Sequence, residues 1–313
     1  MLNKLLSIVT PCYNEEDNVE EVYQRVKAVF GELPNYCYEH IFIDNASKDK
    51  TQLILRRLAA EDKNVKVILN ARNFGLVRSP HYGMLQAHGE AVISIVADLQ
   101  DPPEMIPSFL RAWEDGYKIV LLQKIKSEES SLFFFIRRDY YYIARKLADI
   151  DLLDNVTGSG LFDRKVVEIF RRIDDPYPYF RGLICDVGFP RCVIPFTQPT
   201  RKRGLSKSSL YVLYDMAMLG ITNHSKIPLR LATFAGFCTG VLSLMTAILY
   251  FAYKLIFWYS FQMGVAPMVI GFFFFGAVQL FFTGILGEYI GAIHTQVLKR
   301  PLVIESERIN FED

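Results

Sequence analysis

The feature that most constrains this chain is a change of composition at about Arg230, where a mixed polar sequence gives way to two long apolar stretches. No charged residue occurs from Leu231 to Tyr253, and none from Leu255 to Gly287. A helix of about 20 residues spans the ~30 Å hydrocarbon core of a bilayer, and each stretch is longer than that. The sequence therefore predicts a membrane hairpin over residues 229–292. Two buried core helices of a soluble protein are disfavoured, because the remaining sequence is too short to wrap them.

Charges at the ends of the predicted hairpin indicate its orientation. Lys226 and Arg230 precede the first stretch, Lys299 and Arg300 follow the second, and Lys254 is the only basic residue between them. Basic residues concentrate on the cytosolic side of membrane proteins. We therefore expect a multi-pass protein of the cell (inner) membrane, with the soluble domain and both termini in the cytosol.

Composition excludes several classes of protein. The formal net charge of +1 argues against a nucleic-acid-binding protein, because neutralising phosphates requires a basic excess. No signal peptide is expected, since the first apolar run, Leu5–Val9, is too short. The five cysteines are odd in number and lack metal-ligand spacing, which favours free thiols in a reducing compartment: Cys12, Cys37, Cys185, Cys192 and Cys238.

Short β-rich runs alternate with amphipathic helical segments in the first half of the chain. The predicted strands are Leu5–Thr10, His40–Asp44, Val65–Leu69, Ala91–Ala97 and Ile119–Leu122. The predicted helices carry Val19, Val22, Val26 and Val29, then Leu53, Ile54 and Leu58, and then span Phe74–Ala87. This alternation predicts an α/β domain with a largely parallel, doubly wound sheet. Ligands of such sheets bind beyond the carboxyl ends of the strands.

The second half of the chain divides into four predicted parts. From Asp151 the pattern breaks into loops rich in glycine, proline and aromatic residues, followed by a basic segment at 201–207. An amphipathic helix over 206–228 is expected to lie near the headgroups of the membrane. The domain prediction is a cytosolic domain at 1–205, this helix, the hairpin at 229–292 and a cytosolic C-terminal tail at 293–313.

Asp44 ends the second predicted strand, and its carboxylate suits hydrogen bonds from a nucleobase N–H or a ribose hydroxyl. A purely local role is an equally good interpretation of Asp44. For Ser47 and Asp49, capping of the next helix is the preferred interpretation.

A carboxylate-rich block, Ala97 to Glu104, follows the fourth predicted strand. Asp98, with Gln100 and Asp101 nearby, could hold a hard divalent cation that neutralises a diphosphate leaving group. The alternative is a solvated acidic turn introduced by Pro102 and Pro103.

Several motifs together resemble one family. They are Pro11 to Glu16, Asp44 to Ser47, Arg72 to Gly75, Ala97 to Glu104, Arg181 to Leu183, Arg201 to Lys207, Gly287 to Tyr289 and Arg300 to Leu302. The chain resembles the family-2 glycosyltransferases of GT-A fold, in the branch that acts on polyprenyl phosphates. The resemblance covers almost the whole chain, including both apolar stretches.

The resemblance implies transfer of a sugar, with inversion, from a nucleotide-diphosphate donor (a UDP-sugar is expected) to polyprenyl (undecaprenyl) phosphate. It implies that Asp98 and Gln100 hold Mg²⁺ or Mn²⁺, and that Arg201, Ser206 and Lys207 contact the lipid phosphate. The implied nucleotide-sugar site consists of Pro11, Tyr13, Asn14, Glu15, Asp44, Asn45, Arg72, Asn73, Gly75, Ala97 and Asp98.

The chain departs from the family pattern at several places, one of them the unusual stretch from Leu76 to His81. Val96 replaces an acid two residues before Asp98, and Asn45 replaces the second acid of a pair. The stretch Thr157–Leu161 lacks the acid sometimes assigned as catalytic base; Asp154 or Asp186 could substitute, beside Asp98, as catalytic residues. These departures point to a different donor or a divergent subgroup.

Two alternative functions and one question of assembly stay open. The chain could act on another lipid-linked acceptor, or be a catalytically weak membrane protein that binds nucleotide sugars. A homo-oligomer is also an option, because five glycines in the apolar stretches offer close-packing surfaces: Gly236, Gly240, Gly271, Gly276 and Gly284.

Overall fold

The computed structural model describes residues 4–126, 156–199, 215, 218–223, 225–257 and 265–311. Its strands are β1 (Lys4–Cys12), β2 (Tyr36–Asp44), β3 (Val65–Asn70), β4 (Ala91–Ser94), β5 (Ile119–Lys126), β6 (Val156–Asp163), β7 (Arg191–Thr197) and β8 (Glu305–Ile309). Its helices are α1 (Val19–Gly31), α2 (Thr51–Glu61), α3 (Gly75–Leu85), α4 (Ile106–Glu114), α5 (Arg164–Arg172), α6 (Phe180–Asp186), α7 (Ile227–Ile256) and α8 (Val265–Leu298).

One mixed sheet forms the centre of the molecule, with the strand order β7-β5-β6-β4-β1-β2-β3-β8. The pairs β1–β2, β1–β4, β2–β3 and β5–β7 are parallel. The pairs β4–β6, β5–β6 and β3–β8 are antiparallel. The α/β prediction is therefore confirmed, with a parallel centre and antiparallel pairs towards both edges.

Helices cover both faces of this sheet. On one face α1, α2 and α4 bury side chains such as Val26, Leu58 and Phe109. On the other face α3, α5 and α6 bury Met84, Phe170 and Leu183, among others. All four valines predicted to line the buried face of α1 are buried. In α2 the prediction was wrong for one residue, because Leu53 is 68% exposed while Leu55 takes the buried position.

The region from Asp151, predicted to be loops, contains β6, α5, α6 and β7 in its described part. Glycine explains the error for β6, since Gly158 and Gly160 are typical of turns. A Cβ atom at Gly160 would lie 2.4 Å from the carbonyl oxygen of Val120 on β5. Glycine is needed here because two strands approach closely.

The C-terminal segment, predicted as a tail, returns to the sheet. β8 pairs antiparallel with β3, and the carbonyl oxygen of Ile304 accepts a hydrogen bond from the N–H of Ala71 at 2.8 Å. Val303 is buried. The tail therefore covers what would otherwise be an open edge of the sheet.

The helices α7 and α8 are long and apolar enough to cross a membrane, which agrees with the predicted hairpin in length and composition. Neither apolar segment is buried within the protein. The hydroxyl of Tyr289 on α8 donates a hydrogen bond to the carbonyl oxygen of Ser225, directly before α7, at 2.7 Å. Helix α7 starts at Ile227 and helix α8 ends at Leu298, so the two helices extend beyond both ends of the predicted hairpin, 229–292. The three boundaries between the four predicted parts stay predictions.

Candidate active site

The carboxyl ends of the four parallel strands lie side by side at one edge of the sheet. Cys12 of β1 aligns with Asp44 of β2, and Asp44 aligns with Leu69 of β3. β4 runs parallel to β1 on its other side and ends level with Val9. The loops that carry the sequence-predicted donor residues therefore meet at this edge.

Hydrogen bonds join the loop after β1 to the loop after β2. The N–H of Asn14 donates to Ser47 Oγ at 2.8 Å, and the N–H of Lys48 donates to Asn14 Oδ1 at 2.8 Å. The N–H of Glu15 donates to Thr51 Oγ1 at 2.9 Å. Asn14 and Glu15 thus fix the relative position of the two loops.

Backbone strain is concentrated at the same edge. Asn14, Ala46 and Leu99 have φ angles of 54°, 61° and 58°, one in each of the loops after β1, β2 and β4. Non-glycine residues adopt this left-handed region rarely, and asparagine most easily. Such strain persists where the surrounding structure enforces it, and it is typical of functional sites.

Asp44 is fully buried, and its carboxylate is held from three directions. The N–H of Ser47 donates to Oδ2 at 3.0 Å, Gln52 Nε2 donates to Oδ2 at 2.8 Å, and the Ser47 hydroxyl donates to Oδ1. Burial raises the pKa of Asp44 above its ordinary value, although these hydrogen bonds oppose the rise. A carboxylate has about four acceptor sites, so these three donors leave about one acceptor site of Asp44 unfilled.

The helix-capping interpretation is wrong for both residues in its strict form, because Lys50 is the N-cap of α2 and Asp49 directly precedes it. Asp49 Oδ1 accepts a hydrogen bond from the N–H of Thr51, the first residue of α2, at 3.0 Å. Ser47 instead serves Asp44 and Asn14.

Asn45 joins the loop after β2 to the loop after β3. Its amide nitrogen donates to Asn73 Oδ1 at 3.0 Å and to the Gly75 carbonyl at 3.1 Å. Its oxygen accepts from Asn70 Nδ2 at 3.1 Å and from the N–H of Phe74 at 2.8 Å. The side chain is therefore committed to protein groups. The geometry supports a positioning role for Asn45, which is predicted to contact the donor.

The loop after β3 presents a cation at the same edge. Arg72 is exposed, and its guanidinium lies 4.0 Å from the centroid of the Phe74 ring. Gly75 has a φ of 87° and starts α3, with its N–H donating to Asn73 Oδ1 at 2.8 Å. Pro11, the penultimate residue of β1, and Tyr13, directly after β1, are half-buried.

Asp98 lies in a tight turn beyond β4. Its Oδ1 accepts a hydrogen bond from the N–H of Gln100 at 3.1 Å. Ala97 and Leu99 are buried, whereas Asp98 and Gln100 are partly exposed. Leu99 packs in the core, so the left-handed turn at Leu99 places its two polar neighbours on the accessible side.

Asp101 is a residue that the predicted catalytic and metal sets left out. It is 3% exposed, and its Oδ1 accepts a hydrogen bond from Gln198 Nε2 at 3.4 Å. Burial raises its pKa, the hydroxyls of Ser159 and Thr157 lower it, and the charge of Asp98 raises it again, with a net rise. The signal in the sequence that could have identified Asp101 is its position three residues after Asp98. The stretch Thr157–Leu161 lacks the acid expected from the family, but Asp101, a buried acid from the loop after β4, lies beside it.

These residues fit a divalent cation that is shared with a substrate. The described residues contain no group of three or more histidines, cysteines and acids that could hold a metal by themselves. Mg²⁺ is commonly bound through one or two carboxylates together with substrate phosphates. Asp98 is partly exposed and lies close enough to Asp101 for their charges to interact. The donor set therefore suits a cation completed by diphosphate oxygens.

Asp186 is not brought to this cluster of loops. It is the exposed last residue of α6, and four residues later the Pro190 carbonyl accepts a hydrogen bond from the N–H of Lys118 at 3.0 Å. Lys118 directly precedes β5, at the edge where β4 and β5 begin. This geometry does not support the predicted catalytic role of Asp186.

Four other predicted site residues, Asp154, Arg201, Ser206 and Lys207, lie outside the described residues. Described residues that are near Asp154 and Arg201 in the sequence contact this part of the sheet. Val156 pairs with Gln123 near the carboxyl end of β5, and Gln198 contacts Asp101 three residues before Arg201.

Comparison with known proteins gives consistent matches. The family model for glycosyl transferase family 2 matches residues 7–170. An uncharacterized glycosyltransferase of Bacillus subtilis (strain 168), YkcC, is 34% identical over 313 residues, which cover 98% of this chain and 95% of that protein. A prophage-derived bactoprenol glucosyl transferase of Shigella flexneri is 33% identical over 300 residues, which cover 96% of each chain.

One solved structure shows the same fold. Glucosyl-3-phosphoglycerate synthase from Mycobacterium tuberculosis, crystallised with Mn²⁺, UDP and phosphoglyceric acid, has a TM-score of 0.50 at 17% identity. The match covers 70% of this chain and 76% of that one.

Proposed function

Because this chain belongs to glycosyl transferase family 2 and is a glycosyltransferase, we propose that it transfers a sugar from a UDP-sugar to polyprenyl phosphate at the cytosolic face of the cell membrane. The observation that supports the proposal most is that Asp44 and Asp98 follow strands whose carboxyl ends lie at the same edge of the sheet, where Gln198 contacts Asp101.

The donor half of the proposal rests on the loop cluster. Asp44 accepts from the base or ribose with its remaining acceptor site, and Arg72 is an exposed cation for phosphate oxygens. Asp98 and Gln100 would hold Mg²⁺ or Mn²⁺, which when bound neutralises the charge of the diphosphate leaving group.

The acceptor half rests on relatives and on the membrane-length helices. Near-full-length relatives are named bactoprenol glucosyl transferases, and α7 and α8 give this chain the means to reach a lipid in its bilayer. The basic residues Arg201 and Lys207 would balance the negative charge of the lipid phosphate.

The reaction needs little acid–base help from the protein. A polyprenyl phosphate oxygen is already ionised at neutral pH, and it attacks the anomeric carbon opposite the diphosphate. The new carbon–oxygen bond forms as the bond to the nucleotide breaks, and UDP leaves with the electron pair, so the configuration inverts. The main task of the side chains is to hold two anions close together.

The test uses the full-length protein in detergent with undecaprenyl phosphate, Mg²⁺ or Mn²⁺, and radiolabelled nucleotide sugars. UDP-sugars come first, and GDP- and dTDP-sugars complete the panel. We expect acid-labile label in the organic phase from one donor, and its loss with EDTA. Absence of lipid product from every donor, with nucleotide binding intact, would favour a binding protein or another acceptor.

A matched pair of variants tests the role of Asp98. Asp98→Asn should lower transfer by at least about 100-fold, because it removes the charge that holds the cation. Asp115→Asn removes an exposed carboxylate at the end of α4 and should leave transfer unchanged. Equal activities of the two variants would contradict the metal role of Asp98, provided that both unfold at the wild-type temperature.

A further inference from the structure

One face of α7 forms an open groove of about 570 Å³ that the reaction site described above does not use. It is lined by Lys226, Leu229, Arg230, Thr233, Phe234 and Phe237. These residues recur every three or four positions, so they form one continuous stripe on the helix.

The end of the groove nearest the start of α7 is cationic. Lys226 and Arg230 are four residues apart, which places their side chains about 6 Å from each other on the same face. Both are exposed, and within the part of the chain that the structure describes neither forms an ion pair. Two adjacent cations suit a phosphate monoester, which carries up to two negative charges, better than a singly charged phosphodiester.

The end of the groove further along α7 is apolar. Phe234 and Phe237 are 68% and 69% exposed. Thr233, the remaining polar side chain of the groove, donates its hydroxyl proton to the Leu229 carbonyl at 3.0 Å, so it offers little polarity to a ligand. Phe237 lies eleven residues beyond Lys226, or ~16 Å along the helix.

The order of these groups along α7 matches the order of groups in a lipid phosphate. The cations lie at the start of the helix, where a membrane surface would be, and the aromatic rings follow towards the bilayer interior. The start of α7 is also held in place: Ser225 is buried, accepts from Tyr289 at 2.7 Å and receives the N–H of Ile227 on its hydroxyl at 3.2 Å.

We propose that this groove is a loading site for the polyprenyl phosphate acceptor, in which Lys226 and Arg230 bind the phosphate and Phe234 and Phe237 contact the first isoprene units. The inference rests on the proposed function. The single aromatic stripe fits one isoprenoid chain, and the paired cations fit its monoester phosphate.

Kinetics of the full-length enzyme in mixed micelles test the two ends separately. We expect Lys226→Ala and Arg230→Ala each to raise the KM for undecaprenyl phosphate roughly tenfold, since a lost charge-assisted contact is worth about that factor. The KM for the nucleotide sugar should not change. Phe234→Ser with Phe237→Ser should raise the KM for undecaprenyl phosphate and leave the KM for the nucleotide sugar unchanged.

Controls come from the other end of α7. Lys254→Ala removes a cation there, and Phe251→Ser removes an aromatic ring of nearly equal exposure, 67%. Both should keep the wild-type KM for the acceptor. A KM for undecaprenyl phosphate within twofold of wild type in the Lys226 and Arg230 variants would overturn the proposal, as would an equal rise for the nucleotide sugar.

A labelling experiment covers variants that fail to fold and separates this inference from the proposed function. A polyprenyl phosphate with a diazirine on its first isoprene unit should label the tryptic peptide 231–254 of the wild-type protein. Labelling confined to other peptides, or equal competition by phosphatidylglycerol, would overturn the loading site. Wild-type protein that transfers no sugar to any polyprenyl phosphate would overturn the proposed function, whatever the labelling shows.

Discussion

Ala46 holds a left-handed backbone conformation, with φ at 61°, in the loop that follows Asp44. An L-residue with a Cβ atom pays about 1–2 kcal/mol for this conformation, and glycine pays almost nothing. We expect Ala46→Gly to raise the free energy of unfolding by up to about 1 kcal/mol, because relief of strain exceeds the entropic cost of glycine.

The control for Ala46 is an alanine with ordinary backbone angles. Ala60 is exposed on α2, where glycine costs about 1 kcal/mol. The two variants should therefore shift the thermal midpoint in opposite directions. If Ala46→Gly destabilises as much as Ala60→Gly, the strain at position 46 is not real.

The pKa values of Asp44 and Asp163 are shifted in opposite directions. Burial raises the pKa of Asp44. Burial also acts to raise the pKa of Asp163, but hydrogen bonds from Lys118 at 2.9 Å and Trp113 Nε1 at 2.7 Å outweigh it and lower the pKa. Asp163 thus contributes stability that is present above the unfolded pKa and is lost as the pH falls through its lower folded pKa.

We expect donor binding to fail before the fold does as the pH is lowered. The donor requires ionised Asp44, so affinity is lost as the pH falls through a pKa above the ordinary value of about 3.9. Calorimetric titration of UDP, with circular dichroism at each pH, checks this order. Asp44→Asn should bind more weakly at neutral pH and lose the acid limb; an unchanged limb would assign the titration to another group.

At the scale of elements, β8 closes the sheet with side-chain as well as backbone bonds. Asn310 Nδ2 donates to the carbonyl oxygens of Ala59 at 2.6 Å and Val65 at 2.8 Å. Arg56 forms a bidentate pair with Glu307, but both side chains are largely exposed. Exposed ion pairs contribute little, whereas buried carbonyls left without donors are costly.

We therefore expect Asn310→Gly to lower the free energy of unfolding by about 1–3 kcal/mol. Glycine accepts the φ of 60° at this position, so the variant removes the side-chain bonds without adding backbone strain. Glu307→Gln on the same strand should leave stability nearly unchanged. Urea unfolding of both variants in detergent checks the contrast, and the reverse order would show that the ion pair is the stronger contact.

At the scale of the whole molecule, the pairing of β3 with β8 constrains membrane topology. β3 precedes α7, and β8 follows α8, yet both strands belong to one sheet. Strands can pair only on the same side of a bilayer, so α7 and α8 together must cross it an even number of times.

Cysteine labelling in sealed vesicles checks this arithmetic. In a cysteine-free background, Cys37 restored in the catalytic domain and Ile304→Cys before β8 should react from the same side. Ser260→Cys, in the connection between α7 and α8, should react only from the opposite side. Labelling of positions 37 and 304 from opposite sides would contradict the pairing of β3 with β8.

Local patterns in the sequence were enough for the central architecture. Buried strands such as Val65–Asn70 and the valine face of α1 rest on short-range hydrophobic periodicity, and the two apolar stretches rest on composition. Asp98 and Asp44 stood out because polar residues after buried strands collect at one edge of a parallel sheet.

Only the tertiary structure decided the contacts made across long separations. From the sequence alone, Gly160 is predicted to lie in a loop and β8 in a tail. The structure shows that Gly160 lies close to β5 and that β8 pairs with β3. Asp101 is buried close to Asp98 because it contacts Gln198 and the Thr157–Ser159 part of β6. Asp186 lies at the opposite edge of the sheet because the chain after α6 continues to the start of β5. The physical reason is the same in each case. Periodicity reports which face of an element is buried, whereas pairing, close approach and burial of charge depend on which distant segment becomes its neighbour.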